Sequence, residues 1–410
     1  MIVANSANLF SYLFQFFMGR YLSIEDFGVL NSVNSLGVIA GAITGIIPYI
    51  VAKYIIEFKE NEKMASLFVW NIFKFMFVIT SLISLIIIIF IDNISNYLNL
   101  IDNIPIYIFL AAMTTGVFVS IFFGVMQGLL MYVKSSIKAA SIALFRFIAA
   151  LILVGYLGYG YNGALFAAVI ANVLISVWVY QIVNKKIKFY KPKNIKLPKD
   201  TYKKIFIYAF PVALMWLAIG ILSNIDIILV KHYTNDIEAG EYSVAAIIGR
   251  IAVFLPSVLL AVLFPQVSQN SKDGKSSVST IITVMMLTFI LSGGFTLFVY
   301  LFPEFIITLL FGEKYLGGTE VLLIITITMA LVAVLSVLFN YFLAKGIYSF
   351  LYFSWIIILG IGYEIIYYMN SNSMQIATTI LYGTIVLVII NIFILFYHYY
   401  KERIISERDT

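Results

Sequence analysis

Long apolar segments, each near the length of a membrane-spanning helix, recur along the whole of this 410-residue chain. A helix needs about 20 residues to cross the hydrocarbon core of a bilayer. The segments are too long and alternate too little for an outer-membrane barrel. The sequence therefore predicts an all-α polytopic membrane protein with about twelve spans, at 2–19, 28–52, 65–91, 105–131, 137–157, 162–184, 205–230, 241–266, 279–302, 319–344, 348–369 and 375–397.

Composition agrees with this fold class and excludes several functions. The chain is 62% hydrophobic and 11% charged, whereas a soluble domain is about half apolar and about a quarter charged. It contains no cysteine, so disulfides, thiol catalysis and cysteine-ligated metals are excluded. Its net charge of +6 is spread over loops rather than clustered on one face, so we expect no nucleic-acid partner. The segment after Met1 lacks a basic n-region, and we expect no cleavable signal peptide.

The basic residues are divided unevenly between the two sides of the predicted membrane. Of the 26 lysines and arginines, twenty lie in or beside alternate connections, and only Arg20, Lys231 and Lys314 lie in the opposite ones. Cytoplasmic loops of membrane proteins carry the excess of positive charge. We therefore expect a multi-pass protein of the cytoplasmic membrane with both termini in the cytoplasm.

A basic segment at the middle of the chain looks like a linker between domains. It reads KKIKFYKPKNIKLPKDTYKK and contains nine lysines and two prolines. The sequence therefore predicts an N-terminal six-helix bundle at 1–184, a basic cytoplasmic linker at 185–204, a C-terminal six-helix bundle at 205–400 and a cytoplasmic tail at 401–410.

A short charged hairpin occurs near the start of each half. GRYLSIEDFG at 19–28 is echoed by KHYTNDIEAG at 231–240. Because six spans bring the chain back to the same side, the two halves share one orientation and form a parallel repeat. Such repeats are typical of transporters with a substrate site near the midplane between the halves. We expect Arg20 and Lys231 to belong to an outer gate. Chance similarity of two short hairpins is the alternative.

Four stretches resemble a known family and occur in its order. They are FFMGRYLSIEDFGVLNSV at 16–33, NIDIILVKHYTNDIEAGEYSVAA at 224–246, FPQVS at 264–268 and LLFGEKYLGG at 309–318. The chain resembles the Wzx-like polysaccharide transporters of the multidrug/oligosaccharidyl-lipid/polysaccharide (MOP) exporter superfamily. The resemblance implies two six-helix bundles and flipping of isoprenoid-linked sugars to the outer leaflet. It also implies lipid-linked oligosaccharide, membrane lipids and polysaccharide-assembly proteins as partners, with no cofactor.

Three cations fall inside predicted spans. Arg250 lies about ten residues into the eighth span, or about 15 Å deep, and Arg146 is central in the fifth. A charge at this depth is costly unless it faces a cavity or a partner. We expect both arginines, and Lys74 in the third span, to contact a substrate phosphate or sugar acid, which suits the guanidinium fork. The structural alternatives are an ion pair for the arginines and snorkelling for Lys74.

Asp226 is the one acidic residue well inside a span near the repeat boundary. It is either an ion-coupling site or a structural partner of Arg250 or Lys231. The sequence leaves both roles open.

Polar residues form a stripe on the first span and continue on the second. Asn5, Asn8, Tyr12 and Gln15 are spaced by 3, 4 and 3 residues, which places them on one helical face. Asn31 begins a similar series on the second span. We expect Asn8, Gln15 and Asn31 to bind sugar hydroxyls. The alternative is hydrogen bonding between helices, worth about 0.6 kcal/mol per contact.

Three glycines follow on the second span. Gly37, Gly41 and Gly45 form two GxxxG repeats in register, a pattern that lets another helix approach closely. We expect helix packing on this face.

No enzyme is predicted, because HExxH, GxSxG, P-loop and GxGxxG patterns are all missing. The leading hypothesis is a lipid-linked oligosaccharide flippase that works by alternating access. The first alternative is a cation-coupled drug or solute antiporter of the same superfamily, which would need acidic rather than basic charges in its cavity. The second is a membrane polysaccharide polymerase or ligase, which would need larger outer loops than the short ones found here.

Overall fold

A computed structural model describes residues 2–187, 197–198, 201–257, 259 and 278–408, which contain helices and turns but no β-strand. The FPQVS stretch at 264–268 and most of the basic linker lie outside these residues. The all-α fold predicted from the apolar segments is confirmed. The chain divides into two compact units, Met1–Ala213 and Leu214–Thr410.

The first unit is built from eight α-helices that the described residues place between Ile2 and Val183. They are α1 (Ile2–Tyr21), α2 (Ile24–Thr44), α3 (Ile47–Glu57), α4 (Glu62–Ile89), α5 (Ile91–Tyr97), α6 (Ile104–Gly128), α7 (Tyr132–Ala150), which continues as a π-helix at Leu151–Tyr156, and α8 (Gly160–Val183). Helix α6 packs against α2, α3, α4 and α8, whereas α7 packs mainly against α1 and α8.

Helix α9 (Thr201–Tyr233) begins in the first unit and continues through Pro211 into the second. The second unit then contains α10 (Asp236–Gly249), α11 (251–257), α12 (Val278–Leu301), α13 (Pro303–Leu310), a 3₁₀-helix at Glu313–Gly318, α14 (Thr319–Lys345), α15 (Ser349–Tyr367) and α16 (Ser373–Arg408). Helix α14 packs against α10, α12 and α16.

Eleven helical segments of the described residues are long and apolar enough to cross a membrane. They coincide with the second to twelfth spans predicted above. Helix α1 occupies the first predicted span but is not among the eleven. Two spans are interrupted: the second breaks at 45–46, between α2 and α3, and the eighth has a turn at Arg250, between α10 and α11.

The GxxxG pair that packs helices together is on α6, not on α2. A Cβ atom added at Gly128 would lie 2.5 Å from Cβ of Ile55, and one at Gly124 would lie 2.6 Å from Cβ of Val51. Real Cβ atoms do not approach so closely, so only glycine lets α3 lie against α6 at these two turns.

The prediction of packing along the glycines of α2 was wrong at its centre. A Cβ atom added at Gly41 meets no heavy atom of the described residues within 4 Å, and one at Gly37 makes only ordinary contact with the Phe109 ring at 3.8 Å. Gly45 ends the helix, and its amide donates to the Gly41 carbonyl at 2.7 Å. The small residues of α2 therefore leave an open face that leads to a helix break.

Candidate functional site

The charged hairpin that occurs twice in the sequence is a capped helix start in both halves. The Ser23 hydroxyl accepts a hydrogen bond from the Asp26 amide at 3.1 Å, and the Asn235 side chain accepts one from the Glu238 amide at 2.9 Å. Each cap satisfies an amide that has no partner in the first turn of its helix. Acidic residues follow in both first turns, where the helix dipole favours negative charge.

An ion pair joins the two sides of the second hairpin. The ammonium of Lys231 contacts the carboxylate of Asp236, and the lysine is fully buried whereas the aspartate side chain is half exposed. Arg20, near the start of the first hairpin, is exposed. The outer-gate role suggested for Arg20 and Lys231 stays a prediction.

Asp226, Tyr242 and Arg250 form a buried cluster in the second unit. Asp226 lies on α9, Tyr242 lies on α10, and Arg250 follows the last turn of α10. The Tyr242 hydroxyl donates to Oδ2 of Asp226 at 3.2 Å. Nη2 of Arg250 lies 3.6 Å from Oδ1 of the same carboxylate. The arginine side chain is 16% exposed and that of the aspartate is 3% exposed. Asp226 therefore has a cation beside it inside the protein.

Arg250 leaves hydrogen-bonding capacity unused in this cluster. Its Nε and Nη2 atoms are buried and have no hydrogen-bond partner within the described residues, and the same holds for Oδ1 of Asp226. The separation of 3.6 Å is an ion-pair distance but is too long for a hydrogen bond. The carboxylate is therefore close enough to offset the charge of Arg250 without occupying its donors.

Close packing of α10 on α14 fixes the position of Arg250. A Cβ atom added at Gly249 would lie 2.9 Å from Cγ2 of Ile325 and 3.3 Å from the amide nitrogen of Thr326. The turn at Arg250 then joins α10 to α11, and the Arg250 carbonyl accepts hydrogen bonds from the amides of Val253 and Phe254.

Arg146 is the centre of a second polar cluster, in the first unit. Its Nη2 donates to Oδ1 of Asn34 on α2 at 3.0 Å. Its guanidinium carbon lies 4.1 Å from the centroid of the Phe14 ring on α1. Within the described residues no acid forms an ion pair with Arg146, and its buried Nε has no hydrogen-bond partner. This cluster therefore carries an uncompensated positive charge.

Two amide side chains of α1 and α2 also have unused hydrogen-bonding atoms. Nδ2 of Asn34 and Oε1 of Gln15 are buried without hydrogen-bond partners in the described part of the chain. Asn34 accepts from Arg146 through Oδ1, so its free donor lies beside that cation. Gln15 offers a free acceptor on α1.

The other sequence-predicted site residues are arranged differently. The Asn31 amide is buried and donates to the Phe27 carbonyl of its own helix at 2.9 Å. Asn8 on α1 and Lys74 on α4 are exposed, and neither contributes to the contacts given above for Arg146 and Arg250. The side chain of Asn5 lies outside the described residues.

Sequence reasoning missed Tyr242 and Phe14. Both are aromatic residues in apolar helices, where a core role is the ordinary interpretation. A signal was present for Tyr242, which precedes Arg250 by eight residues on α10 and hence faces a similar direction.

An acidic cavity of about 660 Å³ lies at the predicted outer end of the second unit. Two of its carboxylates accept backbone amides: Glu238 accepts the Ser373 amide at the start of α16 at 2.7 Å, and Glu241 accepts the Gly317 amide of the 3₁₀-helix. Among the described residues no group of three acidic, His or Cys side chains could hold a metal ion. The cavity is lined by Asn235, Asp236, Ile237, Glu238, Glu241, Gly317, Glu320, Val321 and Ser373.

The chain is similar to one family model and to several solved structures. The family model described as polysaccharide biosynthesis protein matches residues 1–271. No curated protein matches the chain.

Three solved structures have the same fold over nearly the whole chain. An inward-facing multidrug resistance MATE family transporter of the MOP superfamily has a TM-score of 0.81 and 14% identity, covering 99% of this chain and 96% of its own. The lipid II flippase MurJ, inward closed, has a TM-score of 0.75 and 13% identity, covering 96% and 87%. A MOP superfamily transporter from Pyrococcus furiosus, described as having a binding pocket of reverse polarity, has a TM-score of 0.66 and 14% identity, covering 95% and 92%. At these identities the similarity establishes the fold.

Proposed function

The chain belongs to the polysaccharide biosynthesis protein family, whose model covers residues 1–271, and we propose that it is a transporter for a lipid-linked glycan. It flips isoprenoid-(pyro)phosphate-linked oligosaccharide across the cytoplasmic membrane by alternating access, for cell-surface polysaccharide or glycan synthesis. The fold that it shares with MATE transporters and MurJ supports a transporter of the MOP superfamily. Both termini lie in the cytoplasm in this proposal, because the basic loops require it.

The observation that carries the proposal is the state of the two interior arginines. Arg146 and Arg250 both have buried nitrogen atoms without hydrogen-bond partners among the described residues. Burying a cation in this way is costly unless a ligand or water completes its shell. A phosphate or pyrophosphate offers several charged oxygens, which suit the planar guanidinium fork.

Arg146 supplies the stronger unpaired charge of the two. Its described contacts are the neutral amide of Asn34 and the face of the Phe14 ring. These contacts orient the guanidinium but do not neutralise it. An anion that approached its Nε edge would therefore gain a charge-assisted hydrogen bond without displacing a carboxylate.

Sugar hydroxyls require groups that both donate and accept. Nδ2 of Asn34, beside Arg146, can donate, and Oε1 of Gln15 on α1 can accept. Asn31 contributes less, because its amide is engaged with its own helix. Asn8 and Lys74 remain candidate contacts at exposed positions of the first unit.

The alternative is a cation-coupled drug or solute antiporter, for which Asp226 would bind the cation. The position of Arg250 argues against this role, since the guanidinium already lies 3.6 Å from the Asp226 carboxylate. A second cation at this carboxylate would meet repulsion at short range. In the proposed flippase, Asp226 is a partner of Arg250.

The test is translocation of a labelled isoprenoid-pyrophosphate oligosaccharide in proteoliposomes. We expect wild type to flip it, and Arg146→Ala and Arg250→Ala to lose most of the rate while remaining folded. Lys63→Ala removes an exposed cation from the start of α4 and serves as the matched control. If wild type does not flip this substrate but transports an organic cation when an ion gradient is imposed, the antiporter hypothesis replaces the flippase hypothesis.

A further inference from the structure

The Asp226 carboxylate contacts Tyr242 as well as Arg250. Two oppositely charged groups this close in a buried site would be expected to form a short bidentate pair. Instead, Nη2 of Arg250 lies 3.6 Å from Oδ1 of Asp226, and both atoms lack a hydrogen-bond partner in the described residues. The other carboxylate oxygen, Oδ2, accepts the Tyr242 hydroxyl at 3.2 Å.

Tyr242 is rigidly placed to hold this carboxylate. Its side chain is buried, with 2% exposure, and its helix is fixed against α14 by the close approach at Gly249. At the outer end of α10, Glu238 and Glu241 bind the amides of Ser373 and Gly317. The hydroxyl is therefore carried by a helix that is anchored at both ends.

We propose that Tyr242 is a positioning residue that keeps Asp226 from closing onto Arg250 and so leaves the guanidinium donors available to an anion. The tyrosine hydrogen bond to Oδ2 holds the carboxylate in the orientation that leaves Oδ1 3.6 Å from Nη2 of Arg250, and turning the carboxylate to form a bidentate pair would cost that bond. Asp226 then offsets the cost of the buried charge, and Arg250 retains free donors. This inference rests on the proposed function, in which Arg250 contacts an anionic headgroup.

If the inference is right, replacing Tyr242 weakens anion binding only when Asp226 is present. Without the hydroxyl, the carboxylate is free to turn and take the donors of Arg250, so an anion must compete with it. Without the carboxylate there is no competitor, and the hydroxyl no longer matters for the anion. A tyrosine that merely packs the core predicts additive losses instead.

The experiment measures binding of inorganic pyrophosphate to the purified full-length protein in nanodiscs, by calorimetry. Four forms are compared: wild type, Tyr242→Phe, Asp226→Asn and the double variant. We expect Tyr242→Phe to raise Kd about tenfold, the scale of one hydrogen bond to a charged group. The double variant should return to within about twofold of Asp226→Asn alone. Tyr352→Phe makes the same chemical change at an exposed tyrosine of α15 and should leave Kd unchanged.

Either of two results would overturn the inference: a Kd for Tyr242→Phe equal to that of wild type, or a double variant that is weaker than Asp226→Asn by the same factor by which Tyr242→Phe is weaker than wild type. Absence of pyrophosphate binding by wild type would also overturn it. Thermal unfolding of each variant identifies any loss of pyrophosphate binding that comes from misfolding. If Tyr242→Phe misfolds, Tyr242→Trp is used instead, because it keeps the ring volume occupied but misplaces the donor. Its effect on Kd must then disappear in the Asp226→Asn background. Failure of the proposed function is a different result: the proteoliposomes show no translocation of the lipid-linked substrate, although the pyrophosphate affinities of the four forms follow the expected order.

Discussion

The guanidinium of Arg146 lies over the ring of Phe14, with its central carbon 4.1 Å from the ring centroid. The ring is almost completely buried, so this cation–π contact is shielded from water and worth about 2 kcal/mol. It holds the charge in place on one face and leaves the edges of the guanidinium for hydrogen bonds. Helix α1 thus contributes an aromatic support to a charge that α7 carries.

Replacing that support should weaken substrate binding. We expect Phe14→Leu to raise the apparent KM for the lipid-linked substrate about fivefold, because the guanidinium loses its attractive face. Transport kinetics in proteoliposomes measure this change. Phe75→Leu, at an exposed position of α4, is the matched control. Equal KM values for the two variants would mean that the ring does not position Arg146 for the substrate.

The two glycine series should respond in opposite ways to the same substitution. Gly128→Ala places a Cβ atom 2.5 Å from that of Ile55 and should lower the melting temperature markedly. Gly41→Ala meets open space and should be neutral or stabilising by about 0.5–1 kcal/mol, because alanine favours a helix. Thermal unfolding in detergent compares them. A loss at Gly41 as large as that at Gly128 would contradict the open face on α2.

The two helix caps should contribute similar amounts of stability. Ser23→Ala and Asn235→Ala each remove the acceptor for an amide of the first turn and should cost about 1 kcal/mol. Ser23→Asp should restore the cap, since aspartate is equally good at this position. Denaturant or thermal unfolding tests both. A neutral Ser23→Ala variant would indicate that water replaces the hydroxyl.

The carboxylate of Glu238 should stabilise the start of α16. Glu238→Ala removes the acceptor that the Ser373 amide reaches at 2.7 Å, and we expect a loss of about 1–2 kcal/mol. Hydrogen exchange at the first turn of α16 should increase in the same variant. Glu60→Ala, at an exposed position between α3 and α4, is expected to change neither quantity. The assignment is wrong if exchange in that turn stays at the wild-type rate.

The sequence predicted the features that depend on long stretches of chain. Spans two to twelve coincide with apolar helices of the described residues, because about 20 consecutive residues contribute to each signal. The repeated hairpin was also visible, since capping residues and first-turn acids recur in order in GRYLSIEDFG and KHYTNDIEAG. A helix cap is visible in a sequence because the capping side chain and the amide that it binds are only three residues apart.

Features that depend on which neighbouring helix or side chain a residue contacts could not be predicted from the sequence. Gly37, Gly41 and Gly45 have the same spacing as Gly124 and Gly128, yet only the α6 pair meets another helix closely. Asn31 and Asn34 are three residues apart on α2, but the first bonds to its own helix and the second to Arg146. Periodicity identifies the face of a helix, whereas the neighbour on that face is set by tertiary packing.

The π-helix at Leu151–Tyr156 sets the register between the two ends of the fifth predicted span. The Leu157 amide reaches back five residues, to the Ile152 carbonyl at 2.9 Å, so this turn accommodates one residue more than an α-helical turn. Gain or loss of one residue here would rotate the part of the span beyond this turn by about 100°. Arg146, on the other side of the turn, would keep its register with Asn34 and Phe14. A deletion of one residue within this turn would therefore change which side chains the end of the span near Tyr156 presents to its surroundings, while the charge of Arg146 stays in place.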